Sequence, residues 1–344
     1  MNMPSLSQRK TWIDFARVLA TFLVVMAHVV LYPQVMGAGP VWSRTLYYTL
    51  TRIGVPLFFF ISGYLLLSKV EDWGVFFKKR VLKVLIPFLV WSIVYMAVLN
   101  HEYPDGLTFQ AVIATFEKIL RGPRAAHLWF FYVLIGLYLF TPVLRVFTAH
   151  ASQRDLLYFC VLWFIVNPVF ALITHFTSIN IGFEFEFITG YIGYYVAGLY
   201  FGRIDLTRKR LAVFGAAFIF TFIFTFLAIY IGQHQPKYDK FFEDYLGFNV
   251  AIMSISAFML LRKVQLPEKT LPFVLPLSSA TLGIYLVHIL ALEYFNNVLA
   301  VYVPFMRLGS SIFIMPLTSI IVFLACFVFV FALQKIPILK YIVP

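Results

Sequence analysis

Polar side chains along this chain are spaced so that ten stretches are almost wholly apolar. They run near 12–32, 46–68, 81–99, 128–146, 156–175, 187–202, 212–232, 246–262, 278–300 and 311–333. A helix needs about 20 mostly apolar residues to cross a bilayer, and most of the ten reach that length. The stretch 187–202 is the shortest and the weakest. The segments between them are short and hold most of the charge. The pattern predicts an all-α, polytopic membrane protein of about ten transmembrane helices. Residues 1–344 then form a single membrane-embedded domain, because no loop is long enough to fold alone.

Composition sharpens this picture. Hydrophobic residues make up 62% of the chain and charged residues 12%, about half the charged share of soluble domains. Mean hydropathy is +0.88. The net charge of +12 would suggest nucleic acid in a soluble protein. Here no basic face or recognition motif accompanies it, so the basic residues read as topology signals and no nucleic-acid partner is expected. Assigned alternately, the loops place eighteen Lys and Arg on one side, including Arg9, Lys10, Lys78, Lys79, Arg80 and Arg145. Seven fall on the other, including Arg44, Lys118, Arg124 and Arg307. The richer side is expected to be cytoplasmic, with both termini on it. The run after Arg9 and Lys10 has no small-residue cleavage site and reads as a retained first span. Cys160 and Cys326 sit inside apolar runs with no metal-ligand spacing, so neither a disulfide nor a metal is expected.

Ionisable residues inside the spans cost several kcal/mol or snorkel, so they mark where chemistry is to be sought. In the first span, TWIDFARVLATFLVVMAHVVLY, Arg17 and His28 are eleven residues apart. They differ by only about 20° in direction and about 16 Å along the axis. Asp14 and Thr21 share the same stripe. Asp14 and Arg17 are close enough to the inner interface to snorkel. His28 is not: it lies in the outer third, as a satisfied interhelical hydrogen bonder or a functional group. The second span, TRIGVPLFFFISGYLL, takes in Arg52 from the outside, and Pro56 and Gly63 predict a bent helix with one close-packing face. The loop FFKKRVLKV that follows serves topology alone, or also grips an anionic cofactor. His127 and Trp129 open the fourth span; an interfacial Trp is usually an anchor. In the ninth, Thr281, Tyr285 and His288 share a face. Three histidines, His28, His127 and His288, thus fall at similar depth on different helices. The acids Glu184, Glu186, Asp239, Glu243 and Asp244 read as ordinary solvated loop residues.

These phrases resemble the acyltransferase-3 family. The spacing of Arg17 and His28 behind WIDFAR, then RIGVPLFFFISGYLL, HLWFFYVLIGLYLFTPVL and SSATLGIYLVH, stand in the family's order. They look most like the subgroup that O-acetylates surface glycans, such as the enterobacterial common antigen O-acetyltransferase. The resemblance implies a multi-pass protein of the bacterial inner membrane. It would move an acyl group, acetyl by this subgroup, from cytoplasmic acetyl-CoA to a hydroxyl of a surface polysaccharide or lipid-linked glycan. It implies His28 and Arg17 as catalytic residues, and Arg17, Lys78, Lys79 and Arg80 as the seat of the CoA phosphates. Arg52, His127, Trp129, Tyr285 and His288 would hold substrate. His28 would be a general base or carry the acyl group covalently; the residues alone leave both open. A transporter or flippase, or a scaffold of polysaccharide export, would use the same polar interior without chemistry.

Overall fold

The computed structural model describes residues 10–31, 40–102, 108–183, 185–295 and 312–344. Arg9, Glu184 and Arg307 lie outside the described residues. Within them all the regular structure is helical, with no strand. Among the described residues nine helical stretches are long and apolar enough to cross a membrane. We label the helices α1 Thr11–Leu31, α2 Val41–Thr51, α3 Gly54–Leu66, α4 Trp73–Val98, α5 Phe109–Arg121, α6 Trp129–His150, α7 Gln153–Phe176, α8 Ile192–Gly202, α9 Arg208–Gly232, α10 Phe248–Leu261, α11 Leu271–Tyr294 and α12 Ile314–Gln334. α2 and α3 together make one span.

The expected span at 187–202 differs from the other nine. Only Ile192–Gly202 is α-helical there, preceded by a single 3-10 turn. Eleven residues rise about 16 Å, half a bilayer core. Every residue from Ile192 to Leu199 is buried. Its apolarity therefore serves protein packing, which hydropathy does not distinguish from lipid contact. Two glycines seat it against α3. A Cβ on Gly63 would lie 1.7 Å from the Tyr195 carbonyl oxygen, and one on Gly198 would lie 2.1 Å from that of Phe60. The backbones touch because neither position carries a side chain.

Prolines set the irregularities. Pro56 has no N–H to give the Arg52 carbonyl, and the helix breaks there, at Arg52–Ile53. Pro87 and Pro168 lie beside or within π-helical turns at Val81–Leu85 and Ile165–Val169, which re-seat the backbone bonds a proline cannot make.

α1 sits at the centre, packed against α2, α3, α11 and α12. This explains how a membrane helix tolerates Asp14, Arg17, Thr21 and His28: its neighbours are protein. By contrast, α9 turns Val213, Ile219, Phe220, Ile223 and Ile231 outward, as a lipid-facing helix would. Within the segment expected to be an open outer loop, α5 presents Phe109, Val112, Ile113, Phe116 and Leu120 on one exposed stripe, the pattern of an interfacial helix.

Candidate active site

His28 stands in the last turn of α1, His127 in the turn Ala126–Leu128 before α6, and His288 on α11. The fold brings the three together. Ring centroids are 4.8 Å apart for His28 and His288, 5.0 Å for His127 and His288, and 6.3 Å for His28 and His127. His288 is 0% and His127 1% exposed, whereas His28 is half-buried.

The hydrogen bonds assign the tautomers. Backbone carbonyls only accept. His288 Nδ1 lies 2.6 Å from the Tyr285 carbonyl, so it carries the proton and donates. His28 Nδ1 lies 2.9 Å from the Val24 carbonyl, so it too is a donor. The same Nδ1–H is 3.2 Å from His288 Nε2, which in a neutral ring has a free lone pair to accept it. His28 Nε2 is then left with its own lone pair and no protein partner among the described residues. That open lone pair sits on the one ring of the three that is not fully buried.

His127 is held by its backbone. The Tyr285 hydroxyl donates to the His127 carbonyl at 2.7 Å. The Tyr95 ring packs 4.9 Å from the imidazole, and its hydroxyl donates to the Leu286 carbonyl at 2.7 Å. Neither ring nitrogen of His127 has a partner at hydrogen-bond geometry among the described residues. The Leu286 carbonyl is nearby but outside that geometry. Among the described residues no three His, Cys, Asp or Glu are arranged to hold a metal ion.

Arg52 lies in the break between α2 and α3, within electrostatic reach of His28. It is 6% exposed. Its guanidinium sits between the rings of Tyr48 and Tyr245, at 4.1 and 4.6 Å. Nη1 donates weakly to the Glu243 carbonyl at 3.5 Å, and Nε is buried without a partner among the described residues. Glu243 is thus more than a solvated loop acid, because it also accepts from the Tyr48 hydroxyl at 2.8 Å. Trp129 faces Tyr191 and Tyr245 at 5.4 and 5.9 Å. This aromatic floor adjoins Arg52. The Tyr132 hydroxyl donates to the Ile119 carbonyl and pins α5.

At the other end of α1 the basic residues separate. Arg17 is half-buried and within electrostatic reach of the Tyr138 hydroxyl. Arg80 lies over Phe76 and Tyr138 at 5.1 and 5.3 Å. Lys79 is hydrogen-bonded to Glu71, and Lys78 is exposed. Asp14 leaves the polar stripe: it is 3% exposed and accepts from Ser278 Oγ at 2.7 Å. In sequence Arg145 carries only a topology signal. It lies over Phe76 at 4.6 Å, as Arg80 also does, and donates through Nε to the Leu66 carbonyl at 2.8 Å. Tyr95 is silent in the sequence, since an aromatic in an apolar run carries no signal of its own.

Comparison of the chain with curated proteins and with solved structures returns no match. The profile of the acyltransferase-3 family, described as an acyltransferase domain, matches residues 10–334. Nearly the whole helical bundle, histidine cluster included, falls inside that match, and the chain belongs to the acyltransferase-3 family of membrane acyltransferases.

Proposed function

We propose that the protein is an O-acetyltransferase of the bacterial inner membrane, of the kind represented by the enterobacterial common antigen O-acetyltransferase subgroup. It takes acetyl from cytoplasmic acetyl-CoA and delivers it to a hydroxyl of a surface polysaccharide or lipid-linked glycan. The observation that carries this reading is the bare Nε2 lone pair of His28 at the half-buried edge of the histidine cluster. A hydroxyl needs a base to attack a thioester, and imidazole titrates near neutrality. His28 Nε2 takes the hydroxyl proton as the oxygen bonds to the acyl carbon. Arg52 stabilises the developing oxyanion. The carbon–sulfur bond then breaks, and His28 Nε2 returns the proton to the departing thiolate. Arg17 and Arg80 grip the CoA phosphates, with Lys78 and Lys79 beside them. Trp129 and His127 contact the acceptor, supported by Tyr285 and His288.

The test is purified protein with labelled acetyl-CoA and a glycan acceptor. Wild type should release CoA as label enters glycan. His28→Gln keeps a hydrogen-bonding side chain but no base, and should lose about 10²–10⁴-fold in rate with no loss of folded protein. Near-normal transfer by that variant would end the general-base role. Glycan movement across vesicles without CoA release would replace the enzyme with a carrier.

A further inference from the structure

We infer that His288 is the positioning residue of the site: a neutral imidazole that accepts the His28 Nδ1–H and aims His28 Nε2 at the reacting hydroxyl. This rests on the reading of His28 as the base. Three observations carry it. His288 Nε2 lies 3.2 Å from His28 Nδ1. The 2.6 Å bond from His288 Nδ1–H to the Tyr285 carbonyl commits the other nitrogen to accepting. His288 is 0% exposed with both nitrogens engaged, so it has no free atom for a substrate. Among the described residues no carboxylate hydrogen-bonds to the ring of His28.

The arrangement has a physical rationale. A base histidine is usually oriented by a carboxylate on its far nitrogen. At this depth in an apolar bundle a permanent carboxylate charge is costly. Here the Val24 carbonyl accepts the Nδ1–H at 2.9 Å and fixes the tautomer, and the neutral imidazole of His288 shares that proton at 3.2 Å and holds the ring from a second direction without adding a charge. When His28 takes the hydroxyl proton at Nε2, its Nδ1–H bond to His288 becomes charge-assisted and stronger, so the contact favours the charged state over the resting one. The proton stays on His28 until the thiolate takes it, and His288 gains and loses none. The α11 turn performs two tasks at once. Its Tyr285 carbonyl sets His288, while the Tyr285 hydroxyl holds the His127 backbone.

Two substitutions in the full chain test this. His288→Gln offers an amide oxygen near the position of Nε2 and should keep kcat within about tenfold. His288→Leu offers no acceptor and should lower kcat by about 10–100-fold, the usual cost of removing an orienting partner, with KM for acetyl-CoA and for glycan unchanged. Equal damage in both variants would make His288 a packing residue, and a raised KM would make it a substrate contact; either overturns the proposal. The third readout needs no variant of His288. In 15N-histidine-labelled wild type, the His28 signal, identified by its loss in His28→Gln, should show a protonated Nδ1 with a scalar coupling across the hydrogen bond to His288 Nε2. Absence of that coupling refutes the pairing even if His288→Leu fails to fold. An active His28→Gln would instead fail the base while the coupling measured in wild type stands, so the two failures are told apart.

Discussion

At the turn between α3 and α4, one carboxylate gathers three basic side chains. Glu71 accepts a hydrogen bond from Lys79 and lies 3.4 Å from Lys69 and 3.7 Å from Arg145. Lys79's hydrogen bond, opposed by partial burial and reinforced by Lys69, holds the Glu71 carboxyl below its ordinary value of 4.5. A depressed carboxyl pKa contributes stability that is present above the unfolded value and lost as pH falls through the folded one. Acidification below about pH 4.5 should therefore loosen the α3–α4 turn. Lys69 is half-exposed, so the effect should be modest, about 0.2–1 kcal/mol. Hydrogen exchange of residues 67–80 across this pH range checks it. Wild type should lose protection on acidification, and Glu71→Gln should show little change. Identical profiles would mean that the cluster contributes nothing.

Among the elements, the contact of α3 with α8 decides the most. Two glycines face two backbones, and a carbonyl oxygen has nowhere to retreat. Gly63→Ala and Gly198→Ala should each cost at least the about 1–3 kcal/mol of ordinary overpacking, seen as a fall in monodisperse yield and thermal midpoint. Gly215, in α9, has no atom within 4 Å of an added Cβ. Gly215→Ala should be neutral or stabilise the helix by up to about 1 kcal/mol. If all three variants behaved alike, helix propensity rather than close approach would explain these glycines. The same close packing holds α8 inside the bundle despite its length.

At the scale of the whole molecule, orientation sets the donor and acceptor sides, because the basic end of the bundle is expected to face the cytoplasm. The native Cys160 and Cys326 are both buried, so background labelling should be low. Lys78 and Gln235 are exposed, near opposite ends of their spans. In intact cells a membrane-impermeant maleimide should label Gln235→Cys directly, and Lys78→Cys only after permeabilisation. The reverse pattern would invert the orientation and with it the sides assigned to acetyl-CoA and glycan.

Apolar run lengths by themselves determined that this is a helical membrane protein. The interrupted spans determined where to look, because a charge or imidazole in a bilayer needs a reason that composition alone makes visible. Arg17, His28, Arg52, His127 and His288 were all legible on that ground. The tertiary structure decided what those residues touch. Hydropathy reads 187–202 and a true span alike, since a protein interior and lipid tails are equally dry; only packing shows that α8 is enclosed. Asp14 and Arg17 share one stripe in sequence, yet Asp14 is held by Ser278, 264 positions away. Tyr95 and Arg145 gain their meaning from neighbours on other helices. The bond between His28 and His288 joins residues 260 positions apart. Its existence depends on how α1 and α11 rotate about their axes, and that is fixed by side-chain packing between helices, not by the pattern within either one.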